Sequence, residues 1–371
     1  MAPVIPSPSA APCPAPQPPA SSDPPPLAAA AVKAAARACH FALVGLARAD
    51  RLPDGPLHAW LAAGHNAGLG WMNDRLPERL DPRVVLSGAQ TVVALAISYH
   101  RPPEERSEVA RYARGRDYHY VHRDRLKALR KRLLQLAPGI ETYACVDTGV
   151  AMEKPWAERA GLGFIGKNGC LITPTHGSWV TLSVMFLDRA VDLYDQPHGN
   201  LCGDCTRCLV GCPTNAFPAP GIVDARRCLA YHTIESPELA PPELRPRLRG
   251  HLFGCDVCQE VCPFNHRDLP AGDDRLRARP LGLMADEAIA ALTRSEFEAL
   301  SAGMALARAQ YDGLRRNAIL ALSPARARRA RPLLVRLGED ESPVVKAAAR
   351  WVLAELDTTA AQTDPAAADP E

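Results

Sequence analysis

The sequence has no stretch approaching the ~20 uncharged apolar residues that a bilayer-spanning helix needs, which excludes a membrane-helix protein. Residues 1–26 do not read as a secretory leader either: they are almost wholly Pro, Ala and Ser, with no basic residue ahead of an apolar core. That composition buries too little surface to fold, so 1–26 and 358–371 are expected to be disordered tails, with Cys13 incidental. Nothing points to an oxidising compartment; disulfides are not expected and a cytoplasmic location is. Net charge is nearly absent as well, 43 Lys and Arg standing against 41 Asp and Glu.

Cofactor fingerprints are equally scarce. There is no Walker loop. Gly161, Gly163 and Gly166 satisfy G-x-G-x-x-G by letter, but the segment before them reads as a helix and not a strand, so a dinucleotide loop is rejected. Asp117 and His119 begin the cobalamin signature Asp-x-His-x-x-Gly, yet His122 stands where glycine belongs. Residue patterns alone therefore name no organic cofactor.

What the chain does have is cysteine, in a particular order. Cys202, Cys205, Cys208 and Cys212-Pro213 follow C-x2-C-x2-C-x3-C-P, and Cys255, Cys258 and Cys262-Pro263 follow the variant C-x2-C-x3-C-P. These are the spacings of two-cluster ferredoxins, in which three thiolates of one run hold one cubane while the fourth crosses to the other. Cys202, Cys205, Cys208 and Cys262 are thus assigned to one [4Fe-4S] cluster, and Cys212, Cys255 and Cys258 to a second. The second lacks one ligand, and Cys228 is the nearby candidate. Paired C-x2-C knuckles also suit zinc, but zinc sites rarely use this pattern.

Before the cysteines, strands expected over 41–46, 90–99, 141–146 and 178–187 alternate with helices over 28–40, 56–64, 124–136 and 151–160, indicating an α/β domain over 27–195. The cysteine segment spans 196–275. From 276 to 357 the pattern is helical, with helices expected over 286–292, 295–300, 306–322, 325–337 and 343–356; short antiparallel pairs of this kind resemble HEAT-like repeats. Two stretches are locally basic. Residues 111–132 hold nine Lys or Arg against two Asp, with Tyr112, Tyr118, His119, Tyr120 and His122 interleaved, and read either as a solvated helix face or as an anion surface. Residues 308–336 hold eight Arg and one Asp, which fits phosphate binding. Arg308, Arg315, Arg316, Asn317, Arg328 and Arg329 are the candidate nucleic-acid contacts.

Two low-potential clusters form an electron wire, and the attached domains imply a redox enzyme at its end. Asp147 closes an apolar strand at a strand-to-helix turn and is the candidate acid; a carboxylate capping the next helix is the competing reading. Cys145 and Cys170 lie outside the cluster spacing and read as buried thiols.

Several segments together closely resemble the epoxyqueuosine reductase family. They are 111–119 (RYARGRDYH), Val146-Asp147-Thr148-Gly149, 160–168, both cysteine runs, 224–235 around Cys228, 253–264, and Leu314-Arg315-Arg316-Asn317-Ala318. The resemblance covers roughly residues 30–356. It implies a cobalamin between the α/β domain and the clusters, with Arg75, Arg79, Asp147 and Leu171 as cofactor contacts, Asp147 as proton donor and Cys228 as the eighth ligand. It further implies that electrons pass through the clusters to the cobalt, which engages the epoxide of epoxyqueuosine at the wobble base of tRNAs with GUN anticodons (Tyr, His, Asn, Asp). A low-potential donor and a monomeric protein complete the expectation. Val150, Asn215 and His232 depart from the family's usual proline, glycine and leucine. The chief rival, a cobalamin-dependent reductive dehalogenase, has no use for an Arg-rich helical domain.

Overall fold

The computed structural model describes residues 24–101 and 107–363, with side chains described to residue 358. Helix α1 (Ala29–Ala38) leads into β1 (Leu43–Arg48), followed by the short helices α2 (Gly55–Ala62), α3 (Leu76–Leu80) and α4 (Pro82–Val85). Strand β2 (Thr91–Ser98), helix α5 (Tyr118–Leu136), strand β3 (Thr142–Cys145) and helix α6 (Glu153–Arg159) come next. The small hairpin β4 (Phe164–Ile165) and β5 (Leu171–Ile172) precedes β6 (Val180–Leu187).

The four long strands form one sheet in the order β1-β2-β6-β3, and every pairing is antiparallel. The alternation of strands and helices does yield mixed α/β structure, but not the parallel ladders such alternation usually brings. Strand β2 lies inside the sheet and is buried along its whole length, because both faces are covered. Val93, Leu95 and Ile97 pack with residues of α1 and α5 such as Val32 and Leu129. Val92, Ala94 and Ala96 point the other way, to Trp156 and Ala157 of α6. That period of two is hidden in the sequence because both sets are apolar. Gly45 of β1 lies so close to the Ala160 carbonyl that a Cβ there would collide with main chain.

Helix α5 begins at Tyr118, six residues earlier than expected, with Asp117 capping it through the His119 amide. The tail expected over 1–26 and Cys13 fall almost wholly outside the described residues.

The cysteine segment has only short helices, α7 (Arg207–Gly211), α8 (Leu229–Ile234) and α9 (Val257–Glu260), joined by loops. The rest is helical: α10 (Asp286–Ala290), α11 (Arg294–Ser301), α12 (Gln310–Ala321), α13 (Pro324–Arg329), α14 (Arg331–Leu337) and α15 (Pro343–Thr363). The single helix expected over 325–337 is broken at Ala330, just before Pro332, whose ring cannot continue a helix from within. Helix α15 runs to Thr363, past the tail boundary expected at 358. Helix α12 is wrapped by α10 and α15, and Leu314, Ala318 and Ile319 join Leu229 and Phe253 of the cysteine segment in one core.

Candidate active site

The loops of the cysteine segment bring the thiols into two groups of four. Cys202, Cys205, Cys208 and Cys262 line one cavity of about 170 Å³, closed by Ile172 and Phe264. Cys212, Cys228, Cys255 and Cys258 form the other, where Cys255 feels both Cys228 and Cys212, and Cys258 feels Cys255 and Cys228. Cys262 thus crosses from the second run to the first group, and Cys212 from the first run to the second group. Cys228 sits at the start of α8, its sulfur facing the Ala230 and Tyr231 amides. Burial, and after it the neighbouring thiols, pushes Cys255 up to about 12. Four such groups ionise together only around cationic metal. Among the described residues no three such side chains close on a single ion.

The second group is tied to the α/β part by hydrogen bonds. Trp60 Nε1 donates to the Val223 carbonyl at 2.7 Å, the Ala225 amide to His65 at 2.8 Å, and the Gly68 amide to the Tyr231 hydroxyl at 3.0 Å. Asn168 reaches the Cys258 carbonyl at 3.3 Å. Cys170 lies against Cys258.

Asp147 follows β3 in a left-handed conformation, φ 51°, which a non-glycine residue adopts only when its surroundings hold it there. Its amide donates to Glu153 Oε1 at 2.6 Å, and the Thr148 amide turns back to the Val146 carbonyl at 2.6 Å. Gly149 packs on Cys145, where any Cβ would strike the thiol side chain. The Asp147 side chain is left 59% exposed, with Oδ2 3.2 Å from His119 Nε2. His119 Nδ1 lies 2.7 Å from Asp117 Oδ1, and its ring stacks on Tyr118 at 4.3 Å. Burial works against charge on His119, but the hydrogen bonds to Asp117 and Asp147 outweigh it and raise the imidazole to about 9. Burial, with the nearby Asp147 charge, lifts Glu153 to about 7. Burial also pushes the Tyr112 and Tyr118 hydroxyls up. Tyr112, Tyr118, His119, Glu153 and Cys170 are half-buried.

The expected cofactor contacts divide. Asp147 faces solvent, and Arg75 does too, its Nε 3.2 Å from Glu78. Arg79 instead holds the carbonyls of Asp74 and Trp71 at 3.0 and 2.9 Å. Leu171 is 3% exposed, with its side chain in the core. Both side chains are nearly buried.

The expected tRNA contacts need a similar correction. Arg315, Arg316 and Asn317 are 7%, 1% and 2% exposed. Arg316 donates to the carbonyls of Ser236, Glu238 and His232, and Arg315 pairs with Asp340 at 2.5 Å. These side chains fasten α12 to its neighbours and have no surface for RNA. Arg308 pairs with Glu235 at 2.7 Å but remains over half exposed, and Arg328 and Arg329 are exposed. Sequence reasoning passed over Glu153, and noted Asp117 and His119 only as the start of an incomplete cobalamin signature and, for His119, as part of a basic segment. The helix-capping spacing of Asp117 and His119 was a further signal.

Comparison with known proteins bears on this arrangement. Residues 201–265 match the 4Fe-4S double cluster binding domain, and residues 79–148 match the family described as epoxyqueuosine reductase QueG, DUF1730. An epoxyqueuosine reductase of Gloeobacter violaceus is 45% identical over 308 residues, 79% of this chain and 95% of the relative. One of Synechocystis is 40% identical over 276 residues, 71% of this chain and 92% of the relative. A solved epoxyqueuosine reductase with an epoxyqueuosine-modified tRNA-Tyr stem loop superposes with a TM-score of 0.81 at 29% identity, covering 88% of this chain and 89% of the other. At this identity and coverage, the chain with its two thiol groups belongs to the epoxyqueuosine reductase family.

Proposed function

We propose that this protein reduces the epoxide of epoxyqueuosine in tRNA to the alkene of queuosine, with Asp147 as the proton donor. The reaction consumes two electrons and two protons and releases the epoxide oxygen as water. Cysteines 202, 205, 208 and 262 hold one [4Fe-4S] cluster, and cysteines 212, 228, 255 and 258 the other. The observation that carries the reading is the exposed Asp147 carboxylate paired with His119 at 3.2 Å.

The family implies cobalamin as well, and aromatic surface lies near Asp147 to receive it. The half-buried Tyr112 and Tyr118 rings both feel the Asp147 charge, and Arg75 lies near Tyr143. When bound, cobalamin supplies a strongly reducing cobalt centre beside the epoxide. The protein's own residues handle the protons. Asp147 donates to the departing oxygen, and His119, charged at neutral pH, returns a proton to Asp147 while Asp117 fixes its ring. The left-handed turn points the carboxylate outward, and Glu153 holds that turn by its main chain.

The helices over 276–357 serve as a HEAT-like domain that grips the tRNA, with Arg308, Arg328 and Arg329 as its contacts. The substrates are tRNAs with GUN anticodons, the site of action is the cytoplasm, the protein acts as a monomer, and a low-potential donor supplies the electrons. The test is anaerobic turnover of epoxyqueuosine-containing tRNA by protein reconstituted with iron, sulfide and cobalamin, read by nucleoside mass spectrometry. Loss of one oxygen from the base is expected in the wild type and not in Asp147→Ala. An unchanged base in a wild type loaded with both clusters and cobalamin would overturn the reading.

A further inference from the structure

Helix α5 and the outer edge of β3 enclose a groove of about 500 Å³. One wall carries Arg123, Lys127 and Arg130, spaced four and three residues apart and so forming one stripe of the helix. The other wall is Thr142, Tyr143 and Ala144 of β3, a strand whose outer edge has no partner among the described residues. The groove ends on Val146, Thr148 and Gly149, which flank Asp147 on both sides.

The groove is cationic, with Asp117 close enough to feel the Arg123 charge. Arg123, Lys127 and Arg130 are exposed, none takes part in an ion pair or hydrogen bond among the described residues, and no carboxylate lines the groove. The helix's one acid within that stretch, Asp124, turns to Arg116 and Arg275. A helix face that only needed solubility would mix its signs; this one keeps three cations along about 10 Å of axis, a span over which one nucleic-acid strand carries roughly three phosphates.

We propose that this groove is a phosphate track that holds the tRNA backbone beside the nucleotide presented to Asp147. The inference rests on the reading of tRNA as substrate, and adds a gripping face on the catalytic domain, distinct from the Arg-rich C-terminal helices. Charge complementarity and the groove's termination at the reactive loop select RNA as its occupant.

The test uses reconstituted holoenzyme and an epoxyqueuosine-bearing tRNA stem loop, with binding followed by anisotropy over a range of salt concentrations. The triple variant Arg123→Gln, Lys127→Gln, Arg130→Gln is expected to weaken binding at least tenfold near physiological salt. It should also flatten the slope of log K against log salt by about 2, near 0.7 for each lost contact to a single strand. KM rises while kcat at saturating RNA is unchanged. Arg37→Gln with Arg132→Gln removes charge from the same domain outside the groove, and should act much less per charge. Equal effects per charge in the two variants, or wild-type affinity and slope in the triple, would overturn the proposal. The single variants, at exposed helix positions, give the same answer in thirds if the triple folds poorly. A wild type that binds no stem loop would bring down the substrate reading itself, whereas normal wild-type binding with an unaffected triple removes only the groove.

Discussion

His119 stands between two carboxylates, Asp117 at 2.7 Å and Asp147 at 3.2 Å, and this fixes its behaviour with pH. Burial opposes its charge and the two hydrogen bonds prevail, so the ring stays protonated to about 9. A histidine raised in this way stabilises the fold fully below its ordinary value, and that contribution is lost as pH rises through about 9. In the proposed mechanism this proton reloads Asp147, so steady-state rates should fall above pH 9. His119→Gln should lower kcat by roughly 100-fold, within the range for a proton-transfer group, and remove that limb; a limb that persists in the variant would assign it elsewhere. Glu153 acts on the same loop through the Asp147 amide, 2.6 Å away. Glu153→Gln keeps an oxygen acceptor and should retain most of the rate, whereas Glu153→Ala frees the turn and should lower kcat roughly tenfold through misplacement. Combined with Asp147→Ala, the second substitution should cost nothing further, which a double-variant cycle reads directly.

At the scale of elements, the buried arginines of α12 separate charge that builds the fold from charge that meets solvent. Arg316 has no carboxylate partner among the described residues; its guanidinium is held by three carbonyls and Asn317, and burial brings it down to about 10. Arg316→Met should cost about 3 kcal/mol, since it leaves several buried carbonyls unpaired, and should lower the melting temperature. Arg328→Gln, at an exposed position of α13, should leave stability unchanged and raise the KM for tRNA. Counting Arg by sequence could not tell these apart, because residues 314–321 are buried on every side and show no polar face to read. The strands were legible from their apolar runs, and the cysteine spacing pointed to the two groups of four. The antiparallel order was not, since β2 is covered on both faces and its run of apolar residues suits either ladder. The early start of α5 was missed because Tyr118 and His122 turn inward, with His122 bonded to Ser183 and Thr181 at 2.8 and 2.9 Å. Asp147 was legible as a strand-end carboxylate; its partners were not, because Asp117 and His119 reach it from 28 residues or more away along the chain.

Across the whole molecule, the cysteine segment is the joint between the sheet and the helices. Phe253 and Leu229 belong to the helical core, Phe164 and Ile172 pack with Cys262, and Trp60 and Gly68 are bonded to Val223 and Tyr231. Between these anchors the segment has only three helices of four to six residues, too short to hold themselves. Its shape therefore depends also on the bonds from iron to sulfur, which add to what its few anchors in the neighbouring cores supply. Cys228→Ala tests this, because Cys228 both completes the second group and opens α8. Iron should fall from about eight to about four atoms per chain, with the first cluster's absorption retained. Protease should then cut between residues 212 and 255 while leaving the sheet and α10 to α15 intact. Cleavage first within 202–208 would instead mean that Cys228 serves the other group. Unchanged iron would mean that a different residue, with Cys170 beside Cys258 the nearest thiol, completes the second cluster.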